Sequence, residues 1–317
     1  MKVIAWVILC LIWGTTWFFI KFGLEDLPPV TFAAARFSLA ILILAIVIFI
    51  QKIPLPNTKR DWKLLALTGF LQFSINYSLV FWSEQYISSG LAAVLQAMIS
   101  VFGLVLAWIH LPNEKLTPIK IISVLLGISG VAVIFIEQLQ IKSFTAFAGC
   151  VAIVVGAYAA AHASILTKAF GGNLHPASLV FGQMVCGILP IYIYAFSVEG
   201  NPLKLNWTLR AIFSVFYLTI LGTIAAFWFY YWLLSKIESN KAMMISLVTP
   251  LIAVVIGGLF LGERLLPQTF FGGALILASI GLIVFRKKGN SKPESNADNY
   301  DFENVKTSEN QFLTTEN

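Results

Sequence analysis

The sequence predicts an all-α integral membrane protein: ten transmembrane helices arranged as two inverted five-helix repeats. Three observations carry that reading. The 317 residues are 58% hydrophobic and only 11% charged, where soluble domains run about 45–50% and about 25%. Ten apolar runs approach the roughly 20 residues that cross about 30 Å of hydrocarbon. Landmark residues also recur at a near-constant spacing of 147–150 positions. A soluble enzyme of this size has no polar exterior to cover so much apolar surface.

The runs are residues 3–22, 30–50, 62–83, 88–109, 118–136, 146–167, 177–196, 210–234, 241–261 and 269–285. Backbone groups in lipid must bond within their own segment, so each run is a helix. Alternating ten-residue strands of a barrel are missing. The first run follows Lys2 but carries Trp6, Trp13 and Trp17 and no convincing cleavage site, so it is a span rather than a leader. Short connections leave no room for an extramembrane domain. Residues 287–317, rich in Asn, Ser, Glu and Thr, are expected to be a disordered cytoplasmic tail. Cys10, Cys150 and Cys186 all lie in apolar runs, which argues against disulfides or a metal cluster.

Direction follows from the basic residues flanking the spans. With the N-terminus inside, inner connections hold 14 Lys and Arg, among them Lys2, Lys52, Lys115, Lys168, Lys236 and Arg286. Outer connections hold 5: Lys21, Lys142, Lys204, Arg210 and Arg264. Both termini are therefore expected in the cytoplasm, with the chain multi-pass in the cell inner membrane. The net charge of +6 is a topology signal and no nucleic-acid footprint.

The repeat divides the chain into 1–137 and 138–286. Lys21 matches Lys168 and Pro29 matches Pro176, both 147 apart, which sets Arg36 opposite Gln183. Trp82 matches Trp232 and Ala92 matches Ala242 at 150. Glu114-Lys115-Leu116-Thr117-Pro118 matches Glu263-Arg264-Leu265-Leu266-Pro267 at 149. Five helices per unit is an odd number, so the second copy enters the membrane upside down. Such repeats place a solute site near the midplane, where the copies meet.

Polar groups at that depth are costly and point to function. Gln96 and Ser100 in the fourth span, with Ser246 and Thr249 before Pro250 in the ninth, are the first candidates for substrate binding. Gln96 and Ser246 are repeat-equivalent and expected to approach each other. The alternative is helix–helix glue. Asn76 and Tyr77 in the third span, and Thr223 and Tyr230 in the eighth, add amide, hydroxyl and aromatic walls; Gln72, Thr219 and Tyr231 lie nearby. Trp13 belongs to the same set or to packing. An aromatic and amide cavity suits an amphipathic organic solute, and ring faces also hold an ammonium group.

Three residues are candidates for coupling or gating. Arg36 lies about 9 Å into the second span, at 1.5 Å per residue; it attracts a substrate carboxylate, snorkels outward, or plays a structural or gating part. His162, near the middle of the sixth span beside Tyr158, relays protons or simply packs. Glu84 ends the third span. Glu114 and Glu263, at helix ends, tie loops. No Asp or Glu lies at the midplane. Walker motifs, Gly-rich dinucleotide loops and metal-ligand spacings are missing too. No cofactor, metal or catalytic residue is expected. The expected partners are a small-molecule substrate and the lipid bilayer.

Several of these residues together resemble a known family. Leu11-Ile12-Trp13-Gly14-Thr15-Thr16-Trp17 runs on to Lys21-Phe22-Gly23, then Leu27-Pro28-Pro29 and Phe32-Ala33-Ala34-Ala35-Arg36-Phe37. With the acidic signatures closing each half, residues 1 to about 286 resemble the EamA family of the drug/metabolite transporter superfamily. The resemblance implies export of amino acids, metabolites or drugs. One departure is Ser100, matching Pro250, where the family often has proline. The reading is a transporter exporting a small metabolite, amino acids or their derivatives first, by alternating access. Its rivals are an uptake permease, an integral membrane enzyme and a membrane sensor.

Overall fold

The computed structural model describes residues 1–87, 89–134, 136, 143–201, 205–260 and 267–284. The expected tail, Glu263 and the outer Lys142, Lys204 and Arg264 lie outside them. Every regular element among the described residues is helical: α1 Lys2–Leu24, α2 Pro29–Gln51, α3 Lys59–Ser83, α4 Ser89–Gln96, α5 Ile99–His110, α6 Pro118–Ile134, α7 Phe144–Phe170, α8 Pro176–Glu199, α9 Leu209–Lys236, α10 Ser239–Met243, α11 Ile245–Phe260 and α12 Pro267–Val284.

Prolines and side-chain caps mark the starts. Pro29 and Pro176 occupy first-turn positions of α2 and α8, where the missing N–H costs nothing. Thr58, Ser143 and Thr208 each accept a hydrogen bond from the backbone three residues on, capping α3, α7 and α9.

Six helices are long and apolar enough to cross a bilayer: α1, α2, α3, α7, α8 and α9. Shorter apolar helices lie at Val94–His110, Pro118–Ile134 and Phe270–Leu282. The ten runs expected from hydropathy thus meet six full-length helices and several shorter ones. The fourth run is divided near Ala97–Met98 and the ninth at Met244.

Outward faces are apolar. On α7, Phe144, Phe147, Val151, Val155 and Tyr158 are exposed along one stripe, while Gly149, Ile153, Gly156, Ala157 and Ala160 turn inward. A helix with no polar face belongs in lipid. Small residues bring the inward faces close. α6 crosses α12 at Gly130 and Gly272, where a Cβ on Gly130 would stand 2.6 Å from the Gly272 carbonyl oxygen.

Three helices among the described residues contain a π-helical segment: Phe70–Tyr77 within α3, Ala195–Glu199 ending α8 and Ile220–Ala225 within α9. Phe70 and Ile220 are 150 positions apart. Such wide turns interrupt the i→i−4 ladder and are frequent at functional sites.

Candidate functional site

A cavity of about 140 Å³ lies inside the bundle. α1 contributes Trp13, Thr16, Trp17 and Ile20; the π segment of α3 contributes Gln72, Asn76 and Tyr77. Arg36 of α2, Gln96 of α4, Ser164 of α7 and Phe227 and Tyr230 of α9 complete the sides, with Ser246 and Thr249 of α11. Trp13 meets Tyr230 and Phe227 at ring separations of 5.2 and 5.6 Å. The wall is aromatic, amide and hydroxyl, and Arg36 is its one charged member among the described residues.

Arg36 does not snorkel. It is 1% exposed, held inward by the π turn of α9. Nε donates to Thr223 Oγ1 at 2.6 Å and Nη2 to the Gly222 carbonyl at 3.1 Å. That carbonyl also accepts from Trp13 Nε1 at 3.3 Å. The guanidinium lies over Tyr77, 5.1 Å from its centroid. Nη1 has no hydrogen-bond partner in the protein. No carboxylate forms an ion pair with Arg36 among the described residues.

The structure gathers nine sequence candidates around this cavity: Trp13, Arg36, Gln72, Asn76, Tyr77, Gln96, Tyr230, Ser246 and Thr249. Gln96 Nε2 donates to Asn76 Oδ1 at 3.2 Å, and Gln96 Oε1 is buried without a partner. The expected approach of Gln96 to Ser246 takes a different form: Ser100 Oγ meets Ser246 Oγ at 3.0 Å and reaches the Met243 carbonyl at 3.1 Å. Ser100 is fully buried behind the wall. Thr223 also stands behind it, accepting from Arg36. Tyr230 donates to Ser164 at 3.1 Å.

His162 and Glu84 are not in the lining. His162 packs 5.5 Å from His110 and 5.6 Å from Tyr158, ring to ring. Glu84 buries one carboxylate oxygen without a partner. Sequence reasoning missed Thr16 and Ser164. Thr16 was visible in principle: Trp13, Thr16, Trp17 and Ile20 follow the i, i+3, i+4, i+7 spacing of one helix face. Ser164 carried no such signal.

Gln183, placed opposite Arg36 by the repeat, is fully engaged. Its amide donates to Thr68 and Thr167 at 2.8 and 3.0 Å, and its carbonyl accepts from Tyr231 at 2.6 Å. It locks α8 to α3, α7 and α9.

Ion pairs and hydrogen bonds join the helix ends at one end of the bundle. Glu114, after α5, accepts from the backbone of Ser239 and from its hydroxyl. Lys168 Nζ lies 2.6 Å from the same carboxylate and also donates to the Ile237 carbonyl. Lys120 pairs with Glu238 at 3.2 Å. Burial alone would raise the Glu238 carboxyl, but Lys120, with Lys241 and Lys168, holds it below the ordinary value. At the other end Glu199 accepts from the N–H groups of Val30 and Thr31, and Arg210 pairs with Asp26 at 2.7 Å.

The sequence model of the EamA-like transporter family matches residues 1–136 and 147–285. This chain belongs to that family. EamA relatives are spread over bacteria and archaea. The chain is 26% identical over 275 residues to the uncharacterized transporter YoaV of Bacillus subtilis, covering 87% of this chain and 94% of that protein. It is 27% identical over 288 residues to an uncharacterized transporter of Archaeoglobus fulgidus (89% and 99%). It is 26% identical over 290 residues to a probable amino-acid metabolite efflux pump of Escherichia coli (88% and 93%). A solved crystal structure shares the fold at a TM-score of 0.77 and 13% identity, covering 89% of this chain and 96% of that one. The EamA chain described here is thus a multi-pass membrane protein of a transporter family.

Proposed function

We propose that this EamA protein exports a small organic metabolite, amino acids or their derivatives first, by alternating access across the cell inner membrane. The observation that carries the proposal is one cavity walled by residues from both halves of the chain. Trp13, Arg36, Asn76, Tyr77 and Gln96 come from residues 1–137; Tyr230, Ser246 and Thr249 come from 138–286. The Glu114–Lys168–Ser239 ties join three stretches of chain at one end, and in this reading they are the closed gate. Cavity size favours a small solute, since a cavity of about 150 Å³ holds a single benzene ring.

The ten-span inverted repeat belongs to this proposal. It draws support from the family match in two segments and from π turns that start 150 positions apart in α3 and α9. On the 14-to-5 basic bias, both termini are cytoplasmic and the tied end faces the cytoplasm. In this reading the cavity opens outward, on the side lined by Trp17, Ile20 and Val80. Export is supported by the Escherichia coli relative named a probable amino-acid metabolite efflux pump. The substrate-binding set in this reading is Trp13, Asn76, Tyr77, Gln96, Tyr230, Ser246 and Thr249, with Ser100 and Thr223 positioning them.

The test compares metabolites in the medium of cells with and without the gene. Accumulation of one solute class outside the expressing cells is the expected result. Loss of that class from the medium on expression points to uptake and reverses the direction. A reporter active only in the cytoplasm, fused after Phe285, checks the topology.

A further inference from the structure

The stretch from Lys52 to Lys63, which joins α2 to α3, is a basic ledge that takes no part in the central cavity. It carries Lys52, Lys59, Arg60 and Lys63 against one acid, Asp61. All four cations are exposed, and none is in an ion pair among the described residues. Lys120 and Lys168, by contrast, are paired. Three hydrogen bonds hold the ledge in shape. The Ser178 hydroxyl donates to the Pro54 carbonyl at 2.7 Å, Trp62 Nε1 to the Pro56 carbonyl at 3.0 Å, and the Asp61 N–H to Thr58 Oγ1 at 3.1 Å. Beside the ledge lies a groove of about 250 Å³ between the start of α3 and the end of α7, lined by Arg60, Asp61, Leu64 and Phe170. Arg60, Leu64 and Leu67 share one helix face by their i, i+4, i+7 spacing. Leu67 is 50% exposed and Phe170 53%. Charge at the rim therefore gives way, one turn on, to apolar surface that continues into the span.

We propose that this groove holds one anionic phospholipid, with its phosphate on Arg60 and the neighbouring lysines and an acyl chain along Leu64, Leu67 and Phe170. Orientation in the membrane asks only for cations near the span ends. It does not ask for a fixed ledge, nor for a recess that is charged at its rim and apolar below. A lipid with a net negative head matches both halves, and basic pockets between membrane helices hold such heads. Arginine suits a phosphate because its planar fork can bond two oxygens at once. Asp61 repels the phosphate but accepts from a hydroxyl, which favours a head with a free glycerol. A zwitterionic lipid brings its own cation to a ledge that already has three positive charges in excess, and a free anion has no use for Leu64 and Phe170. Trp62, half-buried beside the ledge, belongs at the same headgroup level, where amphipathic rings settle. The proposal requires only that α3 and α7 span the membrane and is independent of the solute.

The experiment uses the purified full chain in an uncharged detergent, titrated with phosphatidylglycerol or with phosphatidylcholine of the same acyl chains. Bound lipid is counted by native mass spectrometry. One phosphatidylglycerol is expected to be retained at concentrations where phosphatidylcholine is not. The double variant Arg60→Gln/Lys63→Gln should weaken that binding roughly 25-fold, about fivefold for each cation. Both positions are exposed, so the fold should survive, and an unchanged melting temperature without lipid checks this. Lys2→Gln removes another exposed cation, from the start of α1, and should leave binding unchanged. Inorganic phosphate at millimolar concentration should not displace the lipid. Wild-type selectivity and the phosphate competition test the proposal even if the double variant misfolds. Equal retention of the two lipids would overturn it. So would an equal loss in Lys2→Gln, the mark of a general positive surface, and so would displacement by phosphate, the mark of a free-anion site.

Discussion

Lys168 and Glu114 meet at 2.6 Å, joining the end of α7 to the connection after α5. Ser239, at the start of α10, adds its N–H to both carboxylate oxygens at 2.9 Å. One carboxylate therefore gathers three stretches of chain. Glu114 is only 7% exposed, so removing its charge leaves donors unanswered. We expect Glu114→Gln to loosen this end. A hydrogen bond to a charged group contributes about 1.5–3 kcal/mol, which shifts a closed-to-open ratio by roughly tenfold or more. A single cysteine at Ala242, with the native cysteines replaced, should then react roughly tenfold faster with a thiol reagent applied from the Glu114 side. An unchanged rate would show that the ties do not close the cavity.

Ser100 and Gln96 stand a turn apart in sequence but do different work. Ser100 has both its contacts inside the protein, to Met243 and Ser246. Ser100→Ala should lower thermal stability by about 1 kcal/mol, the usual net value of such a bond, with transport nearly intact. Gln96→Leu should do the reverse: protein level maintained and transport of the native solute lost. Normal transport by Gln96→Leu would reduce that amide to helix glue.

The Asp26–Arg210 pair sets an acid limit on one end of the fold. Bonds from Arg210 and Thr208 hold the Asp26 carboxyl down at about 2, from an ordinary 3.8. Its folded value is depressed, so the stabilisation is complete above about pH 4 and is lost as the pH falls toward 2. In acid unfolding of the purified protein, Arg210→Gln should therefore lose less stability than wild type between pH 4 and 2. Parallel curves for the two proteins would rule this pair out.

The crossing of α6 and α12 has no spare room. A Cβ on Gly272 would stand 2.5 Å from the Gly130 carbonyl oxygen, and backbone gives way far less readily than a side-chain tip. Overpacking of this kind costs about 1–3 kcal/mol or more. Gly272→Val is expected to lower the melting temperature in a detergent stability assay, whereas Gly172→Val, with open space around it, should not. Equal melting temperatures would mean that the helices part easily.

We expect any coupling to protons to run through His162 or an outer carboxylate such as Glu84, since no Asp or Glu among the described residues lines the cavity. His162 has a pair of ring neighbours, His110 and Tyr158. Glu84 has an unanswered buried oxygen. His162→Ala should flatten the response to an imposed pH gradient in proteoliposomes; if His162 merely packs, Glu84→Gln should flatten it instead. A full response in the double variant would sink both assignments.

Hydropathy was enough to reach a helical membrane protein, and the resemblance carried by the Trp13, Pro28-Pro29 and Arg36 segments reached its family. Lipid contact imposes composition over twenty residues at a time, and that is a local property. The cavity set was half legible for the same reason: a polar group inside an apolar run stands out wherever its partner is. Trp13, Asn76, Tyr77 and Gln96 were found that way. What each polar group does depended on the tertiary structure, because a hydroxyl is free or engaged only according to its neighbour. Ser100 reads like Gln96 in sequence, yet Ser246 and Met243, more than 140 positions away, engage its hydroxyl fully. Arg36 is the sharpest case. Nine ångströms into a helix, an arginine reaches either outward or inward. The π turn of α9, 180-odd residues on, offers the Gly222 carbonyl and the Thr223 hydroxyl that turn it inward, and no local pattern in α2 encodes that choice.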